Sequence, residues 1–135
     1  MRVVIDTNVV ISAIFWPGKP KQLLNQVRVR KLTFLTSDIL LTELKEVLTR
    51  KDKPFKLSEE EAQRVLAATR DLADIVASHS RVNICRDEAD NRVLECAIDG
   101  RADWIITGDR HLLEFQTFEG IKIATVASFL RAVTP

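Results

Sequence analysis

Four acidic residues stand where their surroundings ask for something else. Asp6 closes the apolar run Val3-Val4-Ile5, and Gly108-Asp109 closes Trp104-Ile105-Ile106-Thr107. Both runs read as short strands buried on two faces, and in open α/β sheets ligands bind beyond the carboxyl ends of such strands. Glu43 lies three residues after Leu40 and four before Val47. Asp90 lies three before Val93 and four before Leu94. At helical spacing both fall on the apolar stripe, where a carboxylate is costly unless paired, protonated or metal-bound. Glu46, on the other face, is expected in solvent. Each acid also has an ordinary reading: Asp6, Asn8 or Asp109 as a helix cap, Asp90 as a first-turn acid favoured by the helix dipole, Glu43 as a stripe edge reaching water.

Together the four suggest one chemistry. If the strands ending at Asp6 and before Asp109 are neighbours, the two acids converge, and helices over the same sheet end add Glu43 and Asp90. Four gathered carboxylates repel one another and raise their pKa values. A divalent cation removes the conflict, and an all-oxygen set selects Mg²⁺ or Mn²⁺ over Zn²⁺. Two such ions about 4 Å apart clamp the attacking and leaving oxygens of a phosphodiester displacement. Thr107 and Asn8 are placed to orient the carboxylates or a water.

The elements that must position these residues alternate between strand and helix. Helical patterns cover residues 8–15, 20–31 and 38–50. Another follows the capping-box sequence Ser58-Glu59-Glu60-Glu61, and another enters through Asp87 and ends at Gly100. Two more cover 109–115 and 126–133. Extended runs lie at 32–36, 75–77, 82–85 and 121–124, besides those ending at Asp6 and Asp109. This order predicts βαβ crossovers and an α/β fold: a mostly parallel central sheet between two helical layers. The loop Arg50-Lys51-Asp52-Lys53-Pro54-Phe55-Lys56 is basic and carries an aromatic. It reads as a solvated connection, with a nucleic-acid grip on Phe55 as the sharper alternative.

Composition sets the bounds. The 135 residues suit a single domain over the whole chain, 1–135, and 46% hydrophobic content fits a globular protein rather than a disordered one. Lys and Arg total 20 against 19 Asp and Glu, a net charge of +1, so no basic excess announces a nucleic-acid partner, although a local patch remains compatible. No apolar run is long enough to cross a membrane, and Asp6 interrupts what could be a signal-peptide core. Cys85 and Cys96 lack zinc-type spacing and read as packed, free thiols of a cytoplasmic protein.

The runs Ile5-Asp6-Thr7-Asn8, Arg86-Asp87-Glu88-Ala89-Asp90-Asn91 and Ile105-Ile106-Thr107-Gly108-Asp109, with a helical Glu43, resemble a PIN domain. The resemblance covers essentially the whole chain and is nearest to prokaryotic toxin components of toxin–antitoxin modules, the VapC-like ribonucleases. It implies a Rossmann-like three-layer α/β/α fold and a Mg²⁺- or Mn²⁺-dependent endoribonuclease. It also implies an RNA substrate, a cognate antitoxin protein and a homodimer. Carried over by position, Asp6, Glu43, Asp90 and Asp109 are the metal-binding acids, Thr107 the hydroxyl residue before the last acid and Asn8 the polar residue after the first. The chain departs from many relatives at His111, where they carry a further acid.

Two other readings compete. A Mg²⁺-dependent phosphatase of haloacid-dehalogenase type also has an acid after its first strand, but it needs a second acid where this chain has Asn8. An aspartyl-phosphate on Asp6 would mark it. A catalytically idle RNA-binding module would bind RNA without cutting it, with or without metal.

Overall fold

A computed structural model describes residues 1–133. The strands are β1 (Arg2–Ile5), β2 (Thr33–Thr36), β3 (Ala73–Ile75), β4 (Trp104–Ile106), β5 (Thr117–Phe118) and β6 (Ile121–Ala124). The helices are α1 (Thr7–Phe15), α2 (Lys19–Arg28), α3 (Asp38–Leu48), α4 (Glu59–Leu72), α5 (Glu88–Asp99), α6 (Arg110–Leu113) and α7 (Val126–Val133). The strands form one sheet in the order β3-β2-β1-β4-β6-β5, parallel except for β5 against β6. Alternation along each strand divides the apolar residues between two cores. Val3, Ile5 and Ile106 pack with α1, α2, α3 and Phe129 of α7. Val4 and Ile105 pack with Val93, Leu94 and Ala97 of α5 and Leu112 of α6. The result is the three-layer α/β/α arrangement expected from the strand–helix alternation.

The order of the strands places the site. From β1 the chain adds β2 and β3 on one side, then crosses to the other side of β1 for β4 and β6. That reversal is a topological switch point, where strand ends leave a crevice. Val3, Val4 and Ile5 pair with Trp104, Ile105 and Ile106, so the chain leaves both strands side by side at Asp6 and Thr107.

Three local expectations are corrected. The 20–31 helix stops at Arg28, and Arg30 turns out of it with φ 61°. Residues 82–85 join no ladder; side chains of α5 hold their backbone instead. The third strand begins at Ala73 rather than Ile75, and pairs with β2. Gly100 does end α5, but in right-handed geometry (φ −86°). It is small because a Cβ would sit 2.9 Å from both the Cys96 carbonyl and Val76 and 3.0 Å from Leu35. The left-handed step falls on Arg101. A further strand, β5, was not expected; it folds onto β6 through Glu119 and Gly120, both at positive φ as a tight hairpin demands.

Candidate active site

The site begins at one hydroxyl. Thr107 is fully buried just beyond β4, and its Oγ1 donates to Asp6 Oδ2 at 2.7 Å. The same oxygen accepts the Asp109 backbone N–H at 2.9 Å. Its single proton is thus committed to Asp6 and a lone pair to the following turn. The Thr7 N–H holds the other Asp6 oxygen at 2.7 Å, and the Asp6 N–H donates to the Ile106 carbonyl at 3.0 Å. Asp6 is therefore both the cap of α1 and a carboxylate fixed at the switch point. Asp109 caps α6 in the same way: its Oδ1 accepts from the His111 N–H at 2.8 Å and, less closely, the Leu112 N–H at 3.4 Å. Its second oxygen makes no hydrogen bond to these caps.

Asp90 and Glu43 approach from opposite helical layers. Asp90, in the first turn of α5, is 5% exposed and within hydrogen-bonding reach of Asp109. Burial pushes its carboxyl up to about 7, reinforced by the charge of Asp109, the hydrogen bond with it, and the charges of Asp87 and Asp6. Glu43 is half-buried on α3, between Leu40 and Leu44, while Glu46 is exposed. Burial raises Glu43 to about 7, helped by Asp6, Asp87 and Glu46 and opposed by Arg50. Asp6 is also raised, mainly by burial; the Thr107 and Thr7 hydrogen bonds pull it back, and Asp109 and Asp87 push it up again. The charge of Asp6 is thus felt at both Glu43 and Asp90, and those of Asp109 and Asp87 at both Asp6 and Asp90, a pattern that clusters at functional sites.

The structure separates the remaining candidates. Asn8 is exposed on the first turn of α1 and His111 is exposed on α6. Phe55 does not present a free ring: it stacks on Phe15 with centroids 4.6 Å apart and planes at 9°, and Trp16 meets it edge-on. The basic loop is pinned to the end of α1 rather than spread for a base. The sequence marks Asp87 only as a cap; it does cap α5, accepting from the Ala89 N–H at 3.0 Å, yet its charge also reaches Asp6, Glu43 and Asp90. Behind it, fully buried Asn91 takes the Ile84 and Cys85 N–H groups on Oδ1, at 3.3 and 2.9 Å, and returns a bond to the Cys85 carbonyl at 3.1 Å. Glu95, also buried, accepts the Val82 N–H at 2.8 Å. A polar pair in an apolar stripe was the available signal for this brace.

The donor set suits a hard cation. Asp6, Glu43, Asp90 and Asp109 offer only carboxylate oxygens, and burial, reinforced by neighbouring carboxylates, raises three of the four above the ordinary carboxylate range. Among the described residues no three His, Cys, Asp or Glu side chains stand close enough to form a ready-made cage. Mg²⁺ commonly retains several waters rather than demanding an all-protein shell. Cys85 lies nearby but is no competing soft ligand: burial and the charges of Asp90, Asp109 and Asp87 hold its thiol protonated.

Fold and site define a doubly wound α/β domain with an acidic cluster at its switch point. The family model described as PIN domain matches residues 2–111, and the chain belongs to that family. It is 34% identical over 118 residues to the uncharacterised protein MJ1680 of Methanocaldococcus jannaschii, a match spanning 86% of this chain and 76% of the relative. Its fold matches that of a chain in the crystal structure of VapBC2 from Rickettsia felis bound to a DNA fragment from their promoter. That likeness has a TM-score of 0.64 and 18% identity, and covers 91% of this chain and 97% of the other. No helix among the described residues is long and apolar enough to cross a membrane.

Proposed function

We propose that this protein is a metal-dependent endoribonuclease, the VapC-like toxin of a toxin–antitoxin pair, acting in the cytoplasm. The observation that carries the reading is the hydroxyl of Thr107 tying Asp6 to the Asp109 turn, with Asp90 against Asp109 and Glu43 within reach of the Asp6 charge. Asp6, Glu43, Asp90 and Asp109 are the residues to hold Mg²⁺ or Mn²⁺, which when bound supplies activation of water and neutralises charge on the phosphodiester. The chain's own groups do the positioning. Thr107 and the Thr7 N–H fix the two Asp6 oxygens; the two α6 N–H groups fix one oxygen of Asp109 and leave the other to face the cluster. Asp90, raised to about 7 chiefly by burial, stands within hydrogen-bonding reach of Asp109. Asn8, exposed beside Asp6, offers an amide to a substrate oxygen. Membership of the PIN family favours this over phosphatase chemistry, which lacks its second acid at Asn8.

Incubation of the protein with total RNA in Mg²⁺, Mn²⁺ or chelator tests the reading. Wild type should release fragments with either metal and none with chelator. Asp6→Asn should be inactive by at least a hundredfold with an unchanged circular dichroism spectrum. Equal cleavage by Asp6→Asn, or cleavage that ignores chelator, would sink the assignment. The proposed antitoxin and homodimer are checked by expression beside a neighbouring small reading frame and by light scattering.

A further inference from the structure

A cleft of about 550 Å³ opens beside Asp90, of a size that takes a nucleoside-sized ligand. Its wall shares Asp90 with the acidic cluster but adds apolar surface. Ile84 is 56% exposed and Phe115 is 37% exposed, and both line it from different segments, one before α5 and one after α6. Single exposed apolar residues need no explanation, but two facing one cleft beside a reactive centre do. Neither is loosely held. Buried Asn91 grips the backbone of Ile84 and Cys85. Phe115 sits on the turn closed by its own N–H to Leu112, and its ring meets Phe118 edge-on at 6.1 Å. Among the lining residues Arg86 is the fixed positive charge, against Asp87, Asp90 and Glu114. Such a cleft repels a phosphate and accepts a flat, uncharged group with polar edges.

We infer that this cleft, built on Ile84 and Phe115, receives one unpaired nucleobase of the RNA next to the phosphate held at the acidic cluster. The inference rests on the ribonuclease reading and deepens it. The base stacks on Phe115 and packs on Ile84, while Arg86, a donor, and Glu114, an acceptor, line the cleft where its edge falls. Phe115 and Ile84 are thus positioning residues that choose where the strand is cut. Double-stranded RNA, whose bases are stacked away, does not enter.

Binding of short, fluorescently labelled single-stranded RNA to full-length protein tests this, in an Asp6→Asn background that leaves the RNA uncut. Phe115→Ala should weaken binding about tenfold, the loss expected for one stacked base. Phe115→Leu, which keeps bulk without a ring face and guards against misfolding, should weaken it similarly, and Phe115→Trp should restore it. An oligonucleotide with one abasic site at the cut position should bind wild-type and Phe115→Ala cleft equally. In the active protein Phe115→Ala should spread the cut positions and raise KM more than it lowers kcat. Unchanged affinity and cut positions in Phe115→Ala and Phe115→Leu overturn the cleft while leaving the nuclease intact. Failure of the wild type to bind or cut any RNA overturns both.

Discussion

At the scale of the residue, the site turns on a threonine that holds no metal. Thr107 gives its proton to Asp6 and a lone pair to the Asp109 N–H, so one side chain sets the relative position of two strand ends. Thr107→Val keeps the shape and removes both bonds. The Asp109 N–H then lacks a partner, and the Asp6 carboxyl, already raised by burial, loses its strongest compensating bond. The expected cost is about 1–3 kcal/mol in stability, read by urea unfolding. Metal-dependent cleavage should fall about 10–100-fold, the usual effect of losing a group that orients a metal ligand. Thr107→Ser should recover most of both. Full activity in the valine variant would show that the hydroxyl positions nothing. The α3 pair is a sharper control. Glu43→Ala should cost cleavage heavily, and Glu46→Ala, three residues on and exposed, should cost less than twofold. Equal losses would place the wrong face of α3 toward the site.

At the scale of the element, the brace behind the cleft has no counterpart in periodicity. Asn91 replaces a missing ladder for residues 84 and 85, so Asn91→Leu should cost roughly 2–3 kcal/mol and raise hydrogen exchange at the Ile84 and Cys85 amides before any other segment opens. Uniform exchange across the chain would mean that the segment is held by something else. This stretch also marks the limit of reading elements from residue patterns. β1 and β4 were legible because their apolar runs are short, β-branched and ended by an acid. The phase of α3 and α5 was legible because Glu43 and Asp90 broke otherwise regular stripes. Residues 82–85 looked like a strand because Val82, Ile84 and Cys85 are apolar, but whether a segment finds a ladder is decided by what lies beside it. Phe55 looked free because nothing in its loop shows that Phe15, forty residues earlier, offers its ring. Asp87 is hidden for the opposite reason: a cap at the start of α5 is a complete local role for an aspartate.

At the scale of the whole molecule, the switch point collects negative charge from both helical layers, and the fold must bear it. Burial and mutual repulsion raise Asp90 from 3.8 to about 7 and Glu43 from 4.5 to about 7, and raise Asp6 as well. Between about pH 4.5 and 7 the metal-free folded chain therefore binds more protons than the unfolded chain, so these groups make stability fall as pH rises. Their contribution is complete below the unfolded values and lost as pH climbs through 7. The lowered acids Asp99, Glu59 and Glu61 act with the opposite sign, but below this window. On the proposed reading a cation would reverse the balance, because it would bind the ionised, folded site and not the unfolded chain. Mg²⁺ at about a hundred times its Kd should add about 2.7 kcal/mol, a rise of several degrees in Tm for a chain of this size. Thermal melts in chelator should thus decline from pH 5 to pH 8, and melts in saturating Mg²⁺ should lie progressively above them toward pH 8. Asp90→Asn should flatten the chelator curve and shrink the Mg²⁺ gain, since it removes both the repulsion and a ligand. Coincident curves with and without Mg²⁺ at pH 8 would mean that the clustered acids tolerate one another without an ion, and the site would need another explanation.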